Sequence, residues 1–283
     1  MLSALFVAIR IVANPISNVF QKHLTQRSAS PLFIIGVTHA LLTLGVLPLL
    51  FLSPIQLGRE FWTNMLLCAL LAVSGNVLLV YGLRAADISV LGPINAYKSV
   101  ISLVLGVLLI GEVPTLMGVA GVLLILAGSY FVVGREVNRA GIQLRFAALF
   151  LSATEAIFLK KALLLSSPLT TFVFWSILGL PIAAAAIALL LRDQFKNEGV
   201  LLRQNWPTYL WLAFYTGVMQ LTTVLTFGKI QVGYSLALFQ LSTPISVFLG
   251  HRYFQEGSIR KRLLGSIIMA AGAAFIVVQG ARR

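Results

Sequence analysis

The sequence holds one cysteine, three histidines and eight acidic residues among 283. A single cysteine, Cys68, excludes a disulfide framework, and its place inside an apolar run leaves the redox compartment undefined. The common catalytic and nucleotide motifs are missing too. There is no HExxH, no Asp-rich metal motif, no glycine-rich phosphate loop and no Cys/His pair. Neither a membrane enzyme nor an ATP-driven pump is therefore supported, and no cofactor or metal is expected. Long polar stretches are scarce. The longest connection, about Arg192 to Asn205, is too short for a soluble domain. Helix one also lacks the basic n-region of a cleaved signal, and Arg10 interrupts the place where its apolar core belongs.

What fills the chain is apolar. Hydrophobic residues make up 59% and charged residues only 10%. A soluble domain of this size cannot hide that much apolar surface, so a lipid bilayer is the expected solvent. Spanning helices need about 20 apolar residues each. Ten such runs are expected, at about 2–22, 30–52, 61–83, 88–110, 113–134, 144–164, 169–191, 206–228, 231–253 and 260–280. Runs of this length are helical and exclude a β-barrel, whose strands alternate over about ten residues. Lys and Arg outnumber Asp and Glu by 21 to 8, an excess of 13. With no extramembrane module to bind nucleic acid, that excess reads as an orientation and anionic-lipid signal.

One segment occurs twice. Residues 101–133 (ISLVLGVLLIGEVPTLMGVAGVLLILAGSYFVV) and 245–277 (ISVFLGHRYFQEGSIRKRLLGSIIMAAGAAFIV) agree at ten of 33 positions, at a constant offset of 144. The matches include Gly106/Gly250, Glu112/Glu256, Gly121/Gly265 and Gly128/Gly272. Fainter echoes are Ser30-Pro31-Leu32 with Ser167-Pro168-Leu169, and Tyr81-Gly82 with Phe227-Gly228. The chain divides into two five-helix halves, 1–138 and 139–283, joined by the polar stretch Gly134–Arg145. Five is odd, so the second half must run in the opposite sense. Inverted repeats of this kind surround a central site near the bilayer midplane.

The repeated units LGVLLIGEVPTLMGVAGVLLILAG and LGHRYFQEGSIRKRLLGSIIMAAG, within ten helices, resemble the drug/metabolite transporter superfamily, EamA branch. The second copy departs from the family pattern with Gln255-Glu256 in place of Gly-Glu, and with His251-Arg252 at its helix end. The proline expected in each fourth helix is Pro244 in the second half and Pro93, displaced toward the helix start, in the first. The resemblance implies an all-α polytopic protein of two inverted repeats. It also implies a secondary transporter, often a proton-coupled exporter or an exchanger, of small polar metabolites. The setting that follows is a bacterial inner membrane, as monomer or homodimer.

Candidate site residues come from charges where charges are costly. A charge at the bilayer centre costs about 2.5–3.5 kcal/mol on insertion scales, so it needs a partner, water or a function. Arg10, Lys98 and Glu155 fall near the middle of their runs, and His39 lies somewhat off-centre. Arg10, Asn14, Ser17, Asn18 and Gln21 recur at three- and four-residue steps and share one helix face. Asn95, Lys98, Ser102 and Gly106, with Ser99 and Tyr97 alongside, make a second stripe. Each stripe reads either as cavity lining or as polar contact between helices. Glu155 is the one deep carboxylate; it reads as a proton carrier or as half of a bridge to Lys98 or Arg10. Asn76, Gln220 and Gln240 are further inward candidates, and His39 reads as a proton shuttle or a packing residue. Trp62, Trp175, Trp206 and Trp211 read as interface anchors or packing. Lys160 and Lys161 read as surface charges, and the repeated glycines and Glu112 and Glu256 as structural.

Together these point to a secondary transporter of a small polar substrate, amino-acid-like or anionic, with proton coupling one source of drive. A flippase or multidrug-type exporter of amphipathic substrates on the same fold is the alternative. Orientation stays open. Setting Arg10 and Lys98 aside, 13 basic residues flank the connections after odd-numbered helices and six lie on the termini's side. The positive-inside rule then puts both termini outside, whereas the resemblance implies both in the cytoplasm.

Overall fold

The computed structural model describes residues 2–53, 57–98, 100–101, 104, 116–132, 138–230 and 232–280. Ser99, Ser102, Gly106, Glu112, the 134–137 part of the join, Arg282 and Arg283 lie outside that set. The helices are α1 (Leu2–Gln26), α2 (Pro31–Leu50), α3 (Arg59–Ala85), α4 (Ile88–Ile94), α5 (Leu116–Val132) and α6 (Arg139–Leu164). Then come α7 (Pro168–Leu190), α8 (Phe195–Phe227), α9 (Val232–Leu238), α10 (Thr243–Phe254) and α11 (Ile259–Gly280). No strand occurs among the described residues. Six helices, α1–α3 and α6–α8, are long and apolar enough to cross a membrane, and α5 is a shorter apolar helix.

Local sequence sets the helix starts. Pro31 and Pro168 open α2 and α7, where a missing N–H is harmless. The Ser167 side chain accepts the Thr170 N–H at the head of α7. Asn138 caps α6 through the Gly141 N–H, so this helix begins at Arg139, five residues before the expected 144. The eighth run also starts early. Its helix extends back to Phe195 and bends at Asn205 (φ −119°, ψ 18°), just before Pro207.

Two expected spans are broken. The fourth stops at Ile94, and α9 gives way to a 3₁₀ turn, Phe239–Ser242, before α10. Pro244 accounts for the second, since proline removes a backbone donor and crowds the turn before it; at the first, Pro93 lies inside α4 and the break follows it. Beyond Pro93 the bonding tightens. Asn95 N donates to Gly92 O (3.0 Å) and Ala96 N to Pro93 O (2.9 Å). Beyond the second break, Pro244 stands in the first turn of α10. The short helices before the breaks, 88–94 and 232–238, lie at the same offset of 144 as the duplicated segment.

The helices before the join pair with those after it. α1 packs on α8, α3 on α6, α2 on α7, α4 on α10 and α5 on α11. Exchanging the halves turns the first pair into the second and leaves the other three unchanged. The α5–α11 seam is glycine against glycine. A Cβ on Gly128 would stand 2.7 Å from the Gly265 carbonyl oxygen, and one on Gly272 would stand 2.6 Å from that of Gly121. Small residues let backbones approach this closely in lipid, where packing rather than hydrophobicity drives helix association.

Candidate functional site

A cavity of about 100 Å³ lies between α1, α3, α6 and α8. A single water needs only about 10–15 Å³ on that measure, so the space admits several waters or a small solute. Arg10, Asn14, Asn18, Asn76, Asn95, Lys98, Glu155 and Gln220 all line it. The polar stripe of α1 thus faces inward, joined by Ser17 and Gln21, and Lys98 projects from beyond the break of the fourth span. His39 and Gln240 are not among the lining residues.

Arg10 Nε donates to Thr223 Oγ1 at 2.8 Å, and its guanidinium lies 4.8 Å from the centre of the Phe239 ring. Its Nη1, together with Gln21 Oε1 and Gln220 Nε2, is buried and has no partner among the described residues. Buried polar atoms nearly always find partners, so three open ones around one cavity mark places for water or solute. Glu155 accepts from Trp175 Nε1 at 3.2 Å. No ion pair to Lys98 or Arg10 is formed among the described residues; the ion pairs there belong to a cluster at Lys22. Lys98, Arg10 and Glu155 nevertheless lie within one another's electrostatic reach.

Several readings from sequence are corrected. Arg145 is not a loop charge. It is 6% exposed, lines the cavity, and donates Nε to Leu91 O (3.1 Å) and Nη2 to Asn95 Oδ1 (2.8 Å). The 3₁₀-type turn after Pro93 frees the Leu91 carbonyl, because Asn95 N bonds Gly92 instead, and Arg145 takes that oxygen up. The early start of α6 was the missed signal: it places Arg145 two turns inside the helix. Trp175 packs in the core, as one of its two readings had it, and is not an interface anchor. It is 2% exposed, lines the cavity and holds Glu155. Trp206 and Trp211 are exposed, as anchors are. Lys160 is half-buried rather than a surface charge and donates to the Phe227 carbonyl at the end of α8. Lys22, one of the 13 basic residues that the sequence places near connections, is buried and ion-paired.

The two breaks are engaged crosswise. Arg145, from the first helix of the second half, holds Asn95; Arg10, from the first helix of the first half, lies over Phe239. Asn95 and Phe239 are themselves 144 residues apart.

Residues 1–134 match the EamA-like transporter family. The match covers just under half of the chain and makes this part similar to membrane transporters of the drug/metabolite type. A solved structure, titled only as the crystal structure of a protein, shares the fold. It aligns over 97% of this chain and 98% of its own, with a TM-score of 0.55 at 13% identity. No curated protein matches the sequence significantly.

His39 sits apart from the cavity, between α2 and α7. Its Nδ1 lies 3.3 Å from Ser176 O and its ring 5.1 Å from that of Trp175. A Cβ on Gly179 would stand 2.2 Å from the imidazole, so the ring fills the notch that this glycine leaves. His39→Gln is therefore expected to keep transport within about twofold of the native rate while lowering the melting temperature, since it loses packing rather than a solute contact. Initial uptake rates in proteoliposomes and a melting curve measure both.

Proposed function

We propose that the protein is a secondary active transporter, exporter or exchanger, of a small polar metabolite that is amino-acid-like or anionic. The observation that carries this reading is the cavity within the bundle in which Arg10, Lys98 and Glu155 converge with unpartnered polar atoms beside them. An anionic group fits Lys98 and the open Nη1 of Arg10, and an ammonium fits the Glu155 carboxylate. Three basic groups, Arg10, Lys98 and Arg145, against the one Glu155 carboxylate disfavour lipophilic cations.

Alternating access of two inverted five-helix repeats, 1–138 and 139–283, is the proposed mechanism. The crosswise helix pairs and the matched breaks support it. Discontinuous helices beside a central site are a recurrent transporter device, because interrupted backbone is tolerated where it borders a cavity. The drive is a gradient, protons among the options, or exchange, since the sequence carries no nucleotide-binding motif. A bacterial inner membrane is the proposed location.

Thermal melting of the purified protein with a panel of small metabolites, at several pH values, tests substrate class and proton coupling together. A true substrate at a hundred times its Kd is expected to raise the melting temperature by about 3–5 °C. A panel in which amphipathic cations stabilise and small carboxylates do not would overturn this reading.

A further inference from the structure

At the end of the bundle where α1 finishes, one carboxylate ties the two halves together. Glu256 lies in the turn between α10 and α11. Its Oε1 accepts from Lys22 Nζ and from Ile88 N, both at 2.8 Å, and its Oε2 accepts from Ser89 N at 2.8 Å. Lys22 Nζ also donates to Ala86 O, just past the end of α3, at 3.1 Å. Arg262 reinforces the contact from α11 by pairing with Asp87 at 2.7 Å. Lys22 and Glu256 are 7% and 6% exposed, although they sit near helix ends. A Cβ on Gly250 would stand 2.4 Å from Glu256 Oε2, so this repeated glycine clears the path of the carboxylate.

The cluster adjoins the cavity. Gln21 is the lining residue of α1 nearest this face, and Lys22 is the next residue beyond it. The opposite face has a related arrangement without the acid. There Lys160 follows the lining residue Leu159 and donates to the Phe227 carbonyl at the end of α8. Lys160 forms no ion pair among the described residues.

We infer that the Lys22–Glu256 pair is the latch that closes the cavity toward its own face, and that it must part for solute to pass there. Lys22 and Glu256 are positioning residues; they do not touch the solute. The inference rests on the proposed transport cavity. A buried ion pair is favourable while both partners remain, but removing one leaves an uncompensated charge. Neutralising Glu256 leaves Lys22 buried with only the more distant Asp87 carboxylate at 3.8 Å, so the arrangement in which Lys22 meets water gains population.

The test reads sidedness without needing a substrate. Cys68→Ala removes the native thiol, and Ser152→Cys places a reporter on the cavity wall. A membrane-impermeant maleimide is then applied to right-side-out and inside-out vesicles. Glu256→Gln and Lys22→Met are each expected to raise labelling from the Lys22 face about fivefold or more and to lower it from the other face. Lys22→Arg should label as the native pair does. The double variant Lys22→Met/Glu256→Gln leaves neither charge unpaired; it should be open on the Lys22 face and still melt cooperatively. Labelling that is unchanged, or that rises equally from both faces, would show structural glue and overturn the latch. A reporter that no protein, native or variant, exposes to either face overturns the cavity reading, and the latch with it.

Discussion

Glu155→Gln and Lys98→Ala are each expected to cut the initial transport rate in proteoliposomes about tenfold or more, which corresponds to about 1.4 kcal/mol of barrier. The expectation follows from what these side chains lack. Neither is ion-paired to a neighbouring side chain among the described residues, yet both line a cavity inside an apolar bundle. A hydrogen bond to a charged group contributes about 1.5–3 kcal/mol, so losing one contact to the solute accounts for a drop of this size. The variants should still fold. Glu155→Gln keeps the oxygen that accepts from Trp175, and Lys98→Ala removes a charge that is costly to insert. Native-like melting with lost transport identifies a solute or coupling role. Native-like transport in both variants would mean that the cavity is not the site.

Gly128→Leu is expected to fail at an earlier stage, with most of the protein lost from the monodisperse fraction after detergent extraction. Its Cβ would meet the Gly265 carbonyl oxygen at 2.7 Å, and the Met269 side chain and backbone nitrogen at 2.6 and 2.9 Å. A flexible side chain can yield, but the facing backbone cannot move without parting α5 from α11. Overpacking costs about 1–3 kcal/mol even where neighbours adjust. Here the leucine must also keep apart two helices that associate by close contact alone. Gly45→Leu is the control, because a Cβ there meets nothing within 4 Å. Size-exclusion profiles of the two variants separate a local clash from a general intolerance of added bulk.

The helical character of the fold was the part most legible in the sequence. The apolar runs located most of the helices, and the 144-residue offset recurs between the short helices 88–94 and 232–238. The polar stripe of α1 could be read because helical periodicity puts Arg10, Asn14 and Asn18 on one face, and lipid forces that face inward. Tertiary partners escaped the reading. Arg145 lies close enough to a polar join to pass for a loop charge; only the cap at Asn138 and the freed Leu91 carbonyl show where it belongs. Trp175 sits in an apolar run, and nothing in that run announces that its indole N–H meets Glu155. Lys22 was hidden for the opposite reason: its partner Glu256 is 234 residues away, and turn carboxylates are usually solvated. The breaks were half-visible, since Pro93 and Pro244 stand out, but where a chain resumes its helix depends on which carbonyls find other donors.

The contact between α5 and α11 has a consequence for ancestry. Gly128 meets Gly265 and Gly121 meets Gly272, so each contact is the other with its two partners exchanged. A surface of this kind is self-complementary, the isologous pattern of two-fold homodimers. If the two halves are the inverted repeats proposed above, a free-standing unit ending in such a helix, inserted into the bilayer in both senses, would find in an upturned twin the same docking face that one polypeptide now supplies to itself. Fusion would then have fixed a dimer that already existed, and freed the two copies to diverge wherever they do not touch.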